Sequence, residues 1–298
     1  MQALADTLRC RGRRIAFVPT MGFLHEGHLS LIRISRKTAD TTVVSIFVNP
    51  AQFGPGEDFD TYPRDLERDL ALCRREGVDI VFAPPKADLY PEDFQTNVSL
   101  QHLPQHLCGL SRPVFFTGVA TVVTKLFNIV KPHLSVFGEK DYQQLQVIRR
   151  MVADLNLDIE IVGGPTIREP DGLAMSSRNQ YLTASQRPAA LTLSQCLRRA
   201  QERVAAGERQ TAALIQEAQA VIQNYPENDI DYIAVCDPAS LENVDRIEGP
   251  VRMAVAVRIG QTRLIDNALL APKDSASAAG QDSEKTTLSM DTPEGEQK

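Results

Sequence analysis

The run TVVSIFV, from Thr42 to Val48, constrains the fold more than any other stretch of this chain. It is rich in β-branched residues and shows no polar–apolar alternation. A strand with one wet face alternates, so this one is expected to be covered on both faces. Covering both faces takes helices, and the surrounding sequence supplies them. Ile15 to Val18 reads as a second buried strand, followed by a glycine-bearing turn and a helix from about Gly27 to Lys37. A helix from about Arg64 to Glu76 leads into a strand at Val78 to Phe82. Beyond a looser region come a helix (Ala120 to Val130), a strand (Leu134 to Phe137), a helix (Tyr142 to Asn156) and a strand (Ile159 to Val162). Strands alternating with helices predict an α/β, doubly wound parallel sheet. Ligands of such sheets sit beyond the carboxyl ends of the strands.

The pattern changes after about Thr166. Two polar helices (Ala184 to Ala206, Gln210 to Asn224) precede three strand-like runs at Asp231 to Val235, Val251 to Val257 and Thr262 to Ile265. Helices followed by strands predict a second, smaller α+β domain. The expected division is 1–166 for the first domain, 167–270 for a small domain closing over the site, and 271–298 for a tail. That tail is rich in Ser, Ala, Gly, Glu, Gln and Lys and is expected to be disordered.

Bulk chemistry excludes several classes of function. The chain has 298 residues, 43% of them hydrophobic, enough for one large domain or two ordinary ones. Its 32 basic and 38 acidic residues leave a formal charge of −6, with no basic patch for nucleic acid. No apolar stretch approaches the ~20 residues of a membrane span, and MQALADTLRCRGRR lacks the apolar core of a signal peptide. Five cysteines, Cys10, Cys73, Cys108, Cys196 and Cys236, are odd in number and irregularly spaced. They form neither a disulfide framework nor a C-x-x-C zinc pair, so a reducing, cytoplasmic location is expected.

Four stretches carry candidate chemistry. The first, PTMGFLHEGH, follows the first strand directly. Gly22 there lets backbone approach a ligand, and Gly27 lets the next helix pack close. His25 and His28 lie three apart at a helix start and can face one side, donating hydrogen bonds where phosphate charge develops. Surface histidines at a helix cap are the plainer alternative. A zinc-protease pair would be four apart, in H-E-x-x-H. The second, FGEKDYQQ, follows the Leu134 strand. Lys140 there suits a phosphate and Asp141 ribose hydroxyls; a capped helix with Asp141 as N-cap explains the same residues. The third, DGLAMSSRN, offers Ser176, Ser177 and Arg178 to a polyphosphate on a loop free to close, or is an ordinary Ser-rich linker. The fourth, SIFVNPAQF, puts Asn49 and Gln52 just past the second strand, where neutral amides suit a small polar substrate; an Asn-Pro turn is the alternative. His102, His106 and His133 are unremarkable, and Pro104 disfavours a helical metal pair from the first two.

Together PTMGFLHEGH, VSIFVNPAQF, YPR, SRP-x-F-x-GV, FGEKDYQQ, DGLAMSSRN and the closing RLIDN resemble the pantothenate synthetase (pantoate–β-alanine ligase) family, from about Arg14 to Asn267. The resemblance implies a Rossmann-like domain of the nucleotidyltransferase superfamily with a small C-terminal domain, in a homodimer. It implies ATP-dependent condensation of (R)-pantoate with β-alanine, with Mg²⁺, through an enzyme-bound pantoyl-adenylate. By resemblance Met21, Gly22, Phe23, Leu24, His25, Glu26, Gly27 and His28 contact ATP, with His28 catalytic beside His25 and Lys140. Gly138, Glu139, Lys140, Asp141, Ile167, Met175, Ser176, Ser177 and Arg178 match further ATP positions. Gln52 and Gln144 match pantoate-holding positions, with Asn49 beside them, and Asp69 matches an acid linked to Mg²⁺. Two departures stand out. Phe115 replaces the histidine of the usual R-P-G-H-F, and the tail after about Leu270 has no counterpart in the short form of the family. The rival readings are another nucleotidyltransferase of the same superfamily, making a dinucleotide or a CDP-alcohol, and a non-catalytic ATP-binding protein on the same fold.

Overall fold

A computed structural model describes residues 1–272. The chain opens with α1 (Gln2–Cys10), then β1 (Ile15–Thr20), α2 (Glu26–Thr38), β2 (Thr41–Ile46), α3 (Leu66–Arg75) and β3 (Ile80–Phe82). Two single helical turns, α4 (Lys86–Leu89) and α5 (Cys108–Ser111), lead to α6 (Phe115–Val130), β4 (Leu134–Gly138), α7 (Tyr142–Asp154) and β5 (Glu160–Gly164). The five strands form one wholly parallel sheet in the order β3-β2-β1-β4-β5. The lack of alternation seen in β1 and β2 has its cause here. Ile15, Phe17 and Val43 pack on one face against α1, α6 and α7, while Ala16, Val18 and Val44 pack on the other against α2.

The strand order reverses between β1 and β4. That switch point opens a crevice outside their carboxyl ends, where the histidine and lysine stretches begin. Beyond it come α8 (Arg187–Ala205), α9 (Thr211–Gln223) and an antiparallel sheet of β6 (Asn228–Cys236), β7 (Val251–Ile259) and β8 (Thr262–Leu270). Leu193, Leu197, Ile222, Met253 and Val255 make the core of this smaller domain. A separate cluster, with Leu103, Leu107, Phe116 and Tyr142 on one side and Cys236, Leu241 and Ala254 on the other, joins the two sheets. None of the helices among the described residues is long and apolar enough to cross a membrane.

Of the elements that differ from the sequence expectation, three have a plain physical cause. Helix α1 was not expected, because only Ala5 in it is buried; tertiary contacts hold it, with Arg9 donating to the Lys131 carbonyl at 2.9 Å and Lys131 meeting Asp6 at 2.5 Å. Helix α6 begins at Phe115 rather than Ala120, since Phe116, Gly118 and Val119 are already buried. Strand β8 runs on to Leu270, paired with β7 along its whole length. The expected disordered tail falls, apart from Ala271 and Pro272, outside the described residues.

Candidate active site

The crevice is a cleft of about 1140 Å³ lined from both domains, roomy for a nucleotide and a small acid by the ~300–1,000 Å³ of ordinary ligand pockets. Its floor is the end of β1. The chain leaves β1 through Gly22 (φ 83°) and Phe23 (φ 50°), a left-handed turn that must be held in place. Asp69 of α3 holds it. This carboxylate is 1% exposed, and its two oxygens accept the Phe23 and Leu24 amide N–H groups, each at 2.7 Å. A Cβ on Gly22 would stand 3.0 Å from the Asp69 carboxylate, so this glycine makes room for Asp69 rather than for a ligand. Asp69 does not line the cleft. Both oxygens serve the backbone of the turn, so the geometry supplies no observation for the magnesium role expected of Asp69.

Helix α2 then presents the histidines. His25 and His28 face each other with ring centroids 4.1 Å apart. A Cβ on Gly27 would meet the His25 ring at 2.9 Å, so Gly27 is what lets that ring fold over the helix start. The His25 backbone N–H donates to Nδ1 of His28 at 3.3 Å. The proton of a neutral His28 therefore sits on Nε2. Burial, and then the neighbouring His25 and Lys140, keep His28 well below the usual imidazole range. Burial, and then Lys140, bring His25 down to about 4. Both rings are neutral near pH 7, and each keeps one N–H to give. Nδ1 of His25 is buried over the start of α2, in a capping-box arrangement in which His25 and His28 each face the other's backbone.

Of the stretch from Met21 to His28, the cleft is lined by Met21, His25, Gly27 and His28. Gly22, Phe23, Leu24 and Glu26 lie outside its lining. Leu24 is fully buried in the core, and Glu26 turns away to pair with Arg33.

The second wall is the end of β4. Gly138 leads into a 3₁₀ turn, Glu139–Asp141, that runs into α7. Gly138, Lys140, Asp141 and Gln144 line the cleft; Glu139 does not. Lys140 lies 3.9 Å from Asp141, too far for a tight ion pair. Asp141 makes no side-chain cap bond to α7, so helix capping does not account for it. The adjacent glutamines both line the cleft. Gln143 is buried and its amide ties the Leu103, His106 and Cys108 backbone together.

Asn49 and Gln52 also line it. Asn49 is 1% exposed, and its amide is saturated by the Tyr90 hydroxyl, the Ala51 N–H, the Gly118 carbonyl and Gln52. Within the cleft wall Asn49 also orients Gln52, whose Nε2 lies 3.1 Å from the Met21 sulfur.

The roof is the segment Ile167 to Arg178. Ile167, Met175, Ser176, Ser177 and Arg178 line the cleft. The segment is docked rather than free: Ser177 donates to the Phe23 carbonyl at 3.3 Å, and Arg178 makes two 2.9 Å bonds to Asp58. Arg112 similarly grips Glu57 at 2.5 and 2.6 Å and lies over the Phe115 ring, 3.9 Å from its centroid. Burial pushes the Glu57 carboxyl up, but the Arg112 guanidinium outweighs it and leaves it below its usual range. The sequence reading missed Glu57 and Asp58. The acidic GEDFD between NPAQF and YPR was their only trace, and charge runs of that kind usually face solvent.

A doubly wound sheet with neutral imidazoles, a lysine and an arginine around one switch-point cleft defines a nucleotidyltransferase-like enzyme. The chain belongs to the pantoate-β-alanine ligase family, whose model matches residues 1–269. It is 58% identical over 272 residues to a pantothenate synthetase of Desulfatibacillum aliphaticivorans, covering 91% of this chain and 97% of that one. Among solved structures it resembles the pantothenate synthetase of Thermus thermophilus, with TM-score 0.86 and 45% identity over 90% of this chain and 98% of that one. It also resembles a pantoate-β-alanine ligase of Francisella tularensis, solved in complex with β,γ ATP and β-alanine. There the TM-score is 0.74 and the identity 34%, over 90% of this chain and 94% of that one.

Proposed function

We propose that this chain condenses (R)-pantoate with β-alanine, using ATP, to give pantothenate, AMP and diphosphate through a bound pantoyl-adenylate. The observation that carries this reading is that two neutral imidazole donors and Lys140 meet in one cleft at the reversal of strand order. A carboxylate oxygen of pantoate attacks the α-phosphorus and diphosphate departs. His28, through its Nε2 proton, His25 and Lys140 steady the charge that builds on the phosphoryl oxygens. Ser176, Ser177 and Arg178 hold the departing diphosphate, with Arg178 exchanging Asp58 for phosphate. Gln52 and Gln144 orient pantoate. The amine of β-alanine, neutral after losing a proton to solvent, then attacks the activated acyl carbon and AMP leaves. No side chain forms a covalent bond in this scheme, so positioning and electrostatics carry the rate.

In this reading residues 1–166 hold the reactants and 167–270 close the cleft, protecting the adenylate from water. Mg²⁺ would be held through the ATP phosphates and water and would neutralise phosphate charge there. No group of three or more His, Cys, Asp or Glu side chains among the described residues could hold a metal ion, and magnesium commonly binds through substrate phosphates and water. The reading includes a cytoplasmic homodimer, which light scattering of the purified chain checks. Diphosphate release from ATP and Mg²⁺ tests the reaction itself. Release that requires (R)-pantoate, with pantothenate formed only on adding β-alanine, is the expected result. ATP binding without pantoate-dependent release would discard the ligase in favour of a nucleotide-binding protein.

A further inference from the structure

The lysine turn is held from the other domain. Asn267, near the end of β8, is 6% exposed. Its Nδ2 donates to the Glu139 carbonyl at 3.0 Å and to the Lys140 carbonyl at 2.9 Å. Both amide protons are thus spent on the turn that carries Lys140. The Asn267 side chain is itself fixed: its Oδ1 accepts from Arg252 of β7 at 3.1 Å. Arg252 in turn lies over the ring of Tyr142, the first residue of α7, 4.0 Å from its centroid. The Tyr142 hydroxyl then donates to the Pro238 carbonyl at 2.9 Å. The neighbouring Asp266 receives Arg168 through two bonds, at 2.6 and 3.0 Å, and so holds the start of the roof segment. Two consecutive residues of one strand therefore grip the two surfaces between which a nucleotide would lie.

We propose that Asn267 is a positioning residue for the nucleotide, setting the place of Lys140 by clamping the Glu139–Lys140 backbone to the C-terminal sheet. This rests on the reading above that Lys140 faces ATP. A side chain that spends both donors on one turn, and whose acceptor is taken by an arginine, leaves that turn no second arrangement of equal hydrogen bonding.

The test is Asn267→Ala in the full chain. The expected result is a rise of about tenfold in the KM for ATP during pantoate-dependent diphosphate release, the size expected for two net hydrogen bonds, with the KM for pantoate within about twofold. On a Lys140→Ala background the same substitution should cost less than about twofold, because Asn267 acts through Lys140. Asn267→Ser, which keeps one donor, should recover part of the loss. If circular dichroism shows that the alanine variant does not fold, Asn267→Asp is measured instead. It has the same shape without the two donors and should show the same ATP-specific rise. An unchanged KM for ATP in a folded variant overturns the proposal. So do equal rises for ATP and pantoate, or an undiminished effect on the Lys140→Ala background. Calorimetric ATP affinity of the same variants reads Asn267 without turnover. A wild-type chain that binds ATP but releases no diphosphate therefore removes the ligase reading while leaving this proposal to be judged on affinity.

Discussion

The ends of β1 and β4 face the same cleft, yet they are held in different ways. The β1 turn is fixed chiefly from within its own domain: Asp69 on α3 takes the Phe23 and Leu24 amides, the histidines follow at the start of α2 with their rings in contact, and the second domain adds one bond, from Ser177 to the Phe23 carbonyl. The β4 turn is held from outside, by both donors of Asn267 on the C-terminal sheet. The histidine corner thus draws most of its support from the parallel sheet's own domain, whereas the lysine turn leans on the second domain. Preorganised donors stabilise a transition state because they need no rearrangement when charge develops. A turn that leans on a second domain can instead couple nucleotide binding to closure.

His28→Ala should cost the most, slowing adenylate formation ~10²–10³-fold by analogy with the loss of one oxyanion donor. A rapid-quench single turnover with ATP and pantoate reads this, and a rate like that of the unaltered chain would remove His28 from the chemistry. Asp69→Ala strips two buried amides of their acceptor and should lower unfolding stability by roughly 2–4 kcal/mol in urea titration. Asp69→Asn, which keeps one acceptor oxygen, should lose less. If Asp69→Ala instead left stability intact while abolishing magnesium dependence, Asp69 would be a metal residue rather than a scaffold residue. Next comes the roughly tenfold, ATP-specific effect of Asn267→Ala, equivalent to about 1.4 kcal/mol. Unlike Asp69→Ala, it should leave the histidine corner and most of the stability in place.

The smallest effect concerns pH. With His25 held at about 4 and His28 also well below its usual range, kcat/KM for ATP should show no histidine titration between about pH 6 and 8. A step near the ordinary imidazole value of about 6.5 would show that the rings are not buried as described. The same shifts set the sign for stability. Between about 4 and 6.5 the unfolded chain binds more protons at these sites than the folded one. This contribution is therefore intact above about 6.5 and is lost as pH falls toward 4. Melting temperatures at pH 7 and pH 5 check the direction, and the loss should be smaller in His25→Asn.

The α/β architecture was legible because both-face burial leaves a mark that needs no tertiary knowledge: the unalternating runs at Ile15 to Val18 and Thr42 to Val48. The cleft was legible for a related reason, since PTMGFLHEGH and FGEKDYQQ each follow a strand directly, and the carboxyl ends of adjacent parallel strands open on one side. What each side chain does there was not. Gln143 and Gln144 are neighbours of identical chemistry at the cleft, and only the packing of α7 commits the Gln143 amide to distant backbone. Asn49 and Asp69 read as ligand residues by type, and nothing in the local sequence signals the backbone amides, carbonyls and side chains their buried polar atoms also hold. Arg178 reads in sequence as a donor waiting for phosphate, whereas Asp58 occupies it at close range, as Glu57 occupies Arg112. Asn267 lies 127 residues beyond Lys140, and nothing local to RLIDN says which backbone it will meet. Periodicity and strand-end motifs are local properties, so the sequence by itself determined the sheet, the position of the cleft and the kinds of group in it. Hydrogen-bond partnership in a buried space is settled by whichever distant group arrives with matching geometry, and that only the tertiary structure decided.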